Sequence, residues 1–178
     1  MVTDTAALAE ARRIAASVPD PELPMLTLAD LGILRDISVS GQRVTVSLTP
    51  TYSGCPALAE MRRDVTARLT AAGFTDVEVR TVLSPPWSTD SISADGRRKL
   101  AEAGLAPPRS SAVGPAEPGR SRTDGPVPLT LFTSGPPVAC PRCGSADTVL
   151  TAAFSGTACK DLRRCRGCGE PFEHVKEV

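Results

Sequence analysis

The stretch ILRDISVSGQRVTVSL, Ile33 to Leu48, alternates apolar and polar residues on both sides of a Ser40-Gly41 turn. Ile33, Arg35, Ile37 and Val39 share one set of alternate positions, and Val44, Val46 and Leu48 share the other, so the segment reads as a β-hairpin with one buried face. Upstream, Leu8, Ala11, Ile14 and Ala15 recur at helical spacing within residues 5–17, with Asp4 available as an N-cap, and the prolines of VPDPELP end that helix. Downstream, Leu58, Met61, Val65 and Leu69 form the apolar stripe of a second helix that Gly73 is placed to cap. TDVEVRTVL, Thr75 to Leu83, supplies a third strand with Val77, Val79 and Thr81 on one face. After it, SPPWSTDSIS breaks regular structure, and Ser93 can cap a short helix in ADGRRKLAEAG that ends at Gly104. The expected fold is α+β: a small α-β-β-α-β-α sandwich with helices on one side of a short sheet.

Composition bounds the rest. A chain of 178 residues with 17 prolines and 14 glycines suits a domain of roughly 100 residues plus a smaller module. The apolar content of 41% with only 3% aromatics requires a core of Leu, Val, Ile and Ala. Twenty Lys+Arg balance twenty Asp+Glu, so the long-range attraction on which nucleic-acid binders rely is missing. No cationic segment precedes an apolar run at the N-terminus, and no run reaches membrane-spanning length, which makes the cytoplasm the expected compartment. From Ala106 the sequence APPRSSAVGPAEPGRSRTDGP reads as a flexible linker. The expected division is 1–106 for the α/β domain, 107–126 for a Pro/Gly/Ser/Arg linker and 127–178 for a last module opened by a short strand, VPLTLF, Val127 to Phe132.

Five of the six cysteines fall in that last module. CPRCG supplies Cys140 and Cys143, and CRGCGE supplies Cys165 and Cys168. Gly144 and Gly169 follow the two pairs and let the backbone turn amide groups toward the sulfurs, so four thiolates can converge on one Zn²⁺ in a zinc-ribbon arrangement. A module this small lacks a core large enough to fold without such a staple. The same four sulfurs also suit iron or a small iron-sulfur cluster. Cys159 is the unpaired one, open to reading as an extra ligand, a redox-active thiol or a buried side chain. His174, the single histidine, is expected at an exposed or edge position of a strand. Lys160, Arg163, Arg164 and Arg166 make a local basic cluster, read as a solvated face of the ribbon or as a contact for RNA or an acidic protein.

Cys55, in TPTYSGCPALAE, stands directly before Pro56. With Pro56 in the first helical turn Cys55 becomes the N-cap, where free amide groups and the helix dipole favour a thiolate. A cysteine phosphatase needs an arginine six residues on, and that position is Met61. A thiol hydrolase needs a histidine base, and His174 lies in the other module. What remains is a thiolate that transiently holds iron or a cluster, helped by Asp20 and Glu22 of DPEL, or a cysteine used as a small cap. No catalytic residue is assigned. ExxH, GxGxxG and Walker patterns and the plant-type ferredoxin spacing are all absent, which excludes oxygen activation, nucleotide chemistry and ferredoxin-type electron transfer by this chain alone.

DPELPMLTLADLGILRDI, TPTYSGCPA and SPPWSTD together resemble the small α/β domain of the MIP-eighteen and SufT type, whose members assist iron-sulfur protein maturation. Adding GRRKLAEAGLAPP, CPRCGS and FSGTACKDLRRCRGCGEPFEHVK, the chain resembles the PaaD (or PaaJ) family of the bacterial ring-1,2-phenylacetyl-CoA epoxidase system, except in the linker from about Arg109 to Asp124. The resemblance implies an accessory or maturation subunit that assists iron-sulfur assembly in the flavin-containing reductase, with that reductase and other epoxidase subunits as partners. It implies Cys55 as the family's characteristic cysteine with Asp20, Glu22 and Thr49 around one pocket, and Cys140, Cys143, Cys165 and Cys168 as the metal ribbon. Ser91 stands where relatives often carry a second tryptophan. A zinc-ribbon interaction or nucleic-acid-binding module without any cluster-handling role is the competing expectation.

Overall fold

The computed structural model describes residues 4–52, 54–109 and 137–177. Helix α1 (Asp4–Ala16) leads into β1 (Leu34–Ser40) and β2 (Arg43–Leu48), followed by α2 (Leu58–Ala71), β3 (Asp76–Thr81), a 3-10 turn (Thr89–Ser91) and α3 (Ala94–Glu102). The last module carries β4 (Thr148–Ala152), β5 (Lys160–Cys165) and β6 (Pro171–Val175). The expected strand Val127–Phe132 and the linker beyond Arg109 lie outside the described residues.

β1 and β2 pair antiparallel around Gly41-Gln42, and β3 joins β2 in parallel, as a connection through a helix requires. A bulge between Leu34 and Asp36 shifts the β1 register, so Leu34 and Ile37 come to lie opposite Leu48 and Val46 of β2, Arg35 stays half-exposed, and Ile33 is buried just before the strand. Val44, Val46 and Leu48 of β2 are completely covered. Each such side chain contributes roughly 1.5–3 kcal/mol relative to exposure. α1 packs on β1, α2 on β3, and the two helices touch, which places both on one face of the sheet. Met61, Val65 and Leu69 deliver the expected α2 stripe. Gly73 closes that helix with a positive φ while the Phe74 amide reaches back to the Leu69 carbonyl. Two details differ from the sequence expectation. Asp4 is the first residue of α1 rather than its cap, and Thr81, at the end of β3, is exposed rather than buried with Val79.

The segment before β1 is a packed loop rather than a strand. Leu26 and Leu28 are buried in the core, and the Leu28 amide bonds the Val18 carbonyl at 2.9 Å. Thr27 and Asp30 bond each other reciprocally, and Lys99 of α3 reaches the Asp30 carboxylate at 2.6 Å. Gly32 follows with φ +66°, and its missing side chain leaves room for the Ser91 carbonyl. Ser91 therefore closes its loop by a backbone contact. Ser93 caps α3 as expected, its hydroxyl accepting from the Gly96 amide at 2.9 Å.

β4, β5 and β6 form a separate antiparallel sheet. It is docked on the first domain rather than hanging free of it. The Ala106 amide bonds the Glu173 carbonyl at 2.8 Å, the Val175 amide bonds the Ala106 carbonyl at 3.1 Å, and the Val175 side chain belongs to the main core.

Candidate functional site

The docked ribbon and the loops around the start of α2 enclose a cavity of about 420 Å³. Cys55 lines it, together with Asp20, Glu22, Tyr52, Trp87 and, from the ribbon, Cys159. Trp87 forms a fixed wall: it is buried, and its indole N–H donates to the Leu31 carbonyl at 2.7 Å.

Cys55 is not the N-cap of α2. That helix starts at Leu58 with Ala57 as its cap, and Pro56 and Ala57 form an intervening turn in which the Leu58 amide bonds the Cys55 carbonyl. Burial pushes the Cys55 thiol up, the nearby Ala57 and Leu58 amides and the Thr51 hydroxyl act downward, and the Glu22 carboxylate adds to the rise. Burial thus works against the ionised form that the position before Pro56 favours.

Asp20 and Glu22 differ in role. One Asp20 oxygen accepts from the Glu22 amide at 2.8 Å and the Leu23 amide at 2.7 Å, so Asp20 shapes the turn that presents Glu22. Burial pushes the Asp20 carboxyl up against the effect of those amides. Thr49 is buried beside the site and does not line the cavity. Its hydroxyl accepts from Arg35 at 3.1 Å, and Arg35 continues to the Pro86 carbonyl, bracing the loop that carries Trp87.

Cys159 stands apart from the four ribbon sulfurs. Its thiol donates to the Glu22 carboxylate at 3.5 Å, the Thr157 hydroxyl lies 3.0 Å away, and the Lys176 amide holds its carbonyl at 2.9 Å. Burial pushes this thiol up as well, Thr157 opposing and Glu22 and Asp20 reinforcing.

In the ribbon, Cys140, Cys143, Cys165 and Cys168 bring their sulfurs within 4.8 Å of one another. The Cys140–Cys168 and Cys143–Cys165 separations are 3.8 and 3.5 Å. A tetrahedral site with metal–sulfur bonds of about 2.3 Å has sulfur–sulfur edges of about 3.8 Å, so the four fit one metal ion. Gly144 and Gly169 take φ +73° and +81°, and each donates its amide to the carbonyl of the first cysteine of its pair. The Cys168 amide leads in drawing Cys165 down to about 7. At Cys143 the Ser145 amide acts downward, but the other three sulfurs outweigh it and push the thiol up to about 12. Four crowded sulfurs resist ionising together without a cation among them.

His174 is buried, not exposed. Its Nδ1 lies 3.1 Å from Asp161, while its Nε2 is covered and has no hydrogen-bond partner. The side chain turns inward because β6 is the strand that meets the first domain. The basic cluster is engaged locally: Lys160 pairs with Glu173, Arg163 with Asp161 and Arg166 with Asp147, and Arg164 bonds the Gly169 carbonyl. Tyr52 and Trp87, lining residues absent from the sequence-based site, had as their only local signal a single aromatic in each of two proline-flanked loops.

Two families match the chain: one described as an iron-sulfur cluster assembly protein over residues 9–81, and one described as the PaaD zinc beta ribbon domain over residues 124–176. A protein of Escherichia coli (strain K12), provisionally named as the D subunit of 1,2-phenylacetyl-CoA epoxidase, is 38% identical over 161 residues, which are 90% of this chain and 87% of that one. The Fe-S protein maturation auxiliary factor SufT of Staphylococcus aureus (strain USA300) is 36% identical over 78 residues, 43% of this chain and 88% of that one. Among solved structures, a DUF59 domain of unknown function from Bacillus anthracis superimposes with a TM-score of 0.51 at 26% identity, covering 55% of this chain and 94% of that one.

Proposed function

The chain belongs to the family of 1,2-phenylacetyl-CoA epoxidase D subunits, and from that premise we propose that it is an accessory subunit that helps assemble the iron-sulfur centre of the reductase serving the epoxidase. The observation that carries this reading is Cys55 lining a cavity beside the carboxylates of Asp20 and Glu22. Sulfur and carboxylate together offer iron a soft donor and compensating charge, and the apolar wall formed by Leu31, Met61 and Trp87 limits water around a labile cargo. Iron, as ion or cluster, is here the substrate and not a resident cofactor.

In the same reading the ribbon holds zinc through Cys140, Cys143, Cys165 and Cys168, with iron at those sulfurs as the alternative. Its sulfur–sulfur edges match a zinc tetrahedron, and the metal supplies cross-linking of a small sheet rather than reactivity. The partners are proteins of the epoxidase system, the reductase first among them, in the cytoplasm.

The test is reconstitution of the apo-reductase with iron and sulfide in the presence of this chain. Cys55→Ser is expected to keep the ribbon metal and the fold while lowering the iron and acid-labile sulfide recovered in the reductase. Undiminished cluster loading by Cys55→Ser would overturn the reading.

A further inference from the structure

We propose that Cys159 supplies a second thiolate to the cavity of Cys55, so that the iron-holding site is built jointly by the two modules, with Glu22 between the sulfurs as its carboxylate. The inference rests on the assembly function proposed above and deepens it: the ligand is thiophilic iron, as the ferrous ion or as an iron-sulfide unit.

Cys159 reaches this place through the docking of the ribbon. Lys176, next to the core residue Val175, bonds the Cys159 carbonyl, and the thiol then points at Glu22 across the domain boundary. A cysteine that served only as packing would be covered by side-chain atoms; Cys159 is half-buried and lines open volume. Glu22 is the common neighbour: it accepts from the Cys159 thiol at 3.5 Å and lines the same cavity as Cys55.

The charges around the cavity point the same way. Asp20, Glu22 and Glu177 line it, and the one cationic lining residue, Lys176, has its ammonium 3.2 Å from the Ala153 carbonyl and 4.1 Å from the centre of the Phe154 ring. A cavity with three carboxylates, two thiols and one committed ammonium favours a cation. Among the described residues, only the ribbon's four sulfurs close to within 4.8 Å as a set of three or more ligand groups, so the cavity's donors are more widely spaced. Iron bound there draws the Cys55, Cys159 and Glu22 donors inward around it. As iron binds, each thiol releases its proton to solvent and forms one iron–sulfur bond, and no electron is transferred.

The experiment uses the full chain with its ribbon metal-loaded, incubated anaerobically with ferrous iron alone or with ferrous iron plus sulfide, then desalted. Wild type is expected to retain iron beyond the ribbon metal. Cys159→Ser, Cys159→Ala and Cys55→Ser should each retain at least fivefold less, the double variant no less than either single, and Glu22→Gln an intermediate amount. Retention only with sulfide identifies an iron-sulfide unit as the ligand, and retention with iron alone identifies the ion. Ribbon metal content and melting temperature equal to wild type show that the variants are folded. Wild-type retention by both Cys159 variants, or no retained iron in wild type in either arm, overturns the proposal. The reductase assay separates the two levels: normal loading by Cys159→Ser with impaired loading by Cys55→Ser removes only the role of Cys159, whereas normal loading by both removes the assembly reading itself.

Discussion

The Cys159 thiol donates to the Glu22 carboxylate at 3.5 Å although 137 residues separate them along the chain. The contact exists only because Ala106 and Val175 seat the ribbon on the first domain. The ribbon is therefore a wall of the cavity as well as a module in its own right.

Removing the ribbon metal should unfold that wall first. In Cys140→Ser/Cys143→Ser, metal analysis is expected to show the loss of the ribbon ion, and hydrogen exchange to show β4–β6 unprotected with β1–β3 still protected. Retained protection of β5 and β6 in the metal-free variant would show that docking alone holds the ribbon.

Asp20 acts through Glu22. Asp20→Ala frees the Glu22 and Leu23 amides, at a cost of about 1–3 kcal/mol, and should lower iron retention without removing a thiol. Asp20→Asn keeps an acceptor oxygen and should restore most of both. Equal retention by wild type and Asp20→Ala would end the positioning role.

Gly32→Ala places a methyl at φ +66° against the Ser91 carbonyl. Strain and crowding together should destabilise the first domain by about 2 kcal/mol. Denaturant unfolding followed by fluorescence of Trp87, the single tryptophan, measures this next to the strained position. A change below about 0.5 kcal/mol would mean that the Ser91 loop shifts freely.

Acid should weaken the Asp30–Lys99 link. Burial raises the Asp30 carboxyl, but Lys99 and Thr27 outweigh it and hold the group below the usual carboxylate range. A lowered folded pKa means that the unfolded chain takes up the proton first as pH falls. The stabilisation is complete at neutral pH and drains away from about pH 5 downward as the pH falls through the lowered value. Melting followed by Trp87 fluorescence should fall more steeply between about pH 5 and pH 3 in wild type than in Asp30→Asn. Parallel slopes would assign no such role to the pair.

The sequence by itself determined what depends on near neighbours. The alternation in Ile33–Leu48 made the hairpin, the spacing of Met61, Val65 and Leu69 made the helix that covers it, and the two CxxC-Gly turns each set a pair of sulfurs side by side. Each pattern encodes a repeat or turn that a few consecutive residues impose on themselves.

Only the tertiary structure decided the surroundings of Cys55. Its local address before Pro56 argued for an ionised sulfur, yet burial by loops and by the docked ribbon outweighs the nearby amides. His174 turned inward for the same reason, and Cys159, left open by its position in the sequence, came to line the cavity of Cys55. Desolvation sums over every atom that displaces water, whatever its distance in sequence, so no local pattern could carry it.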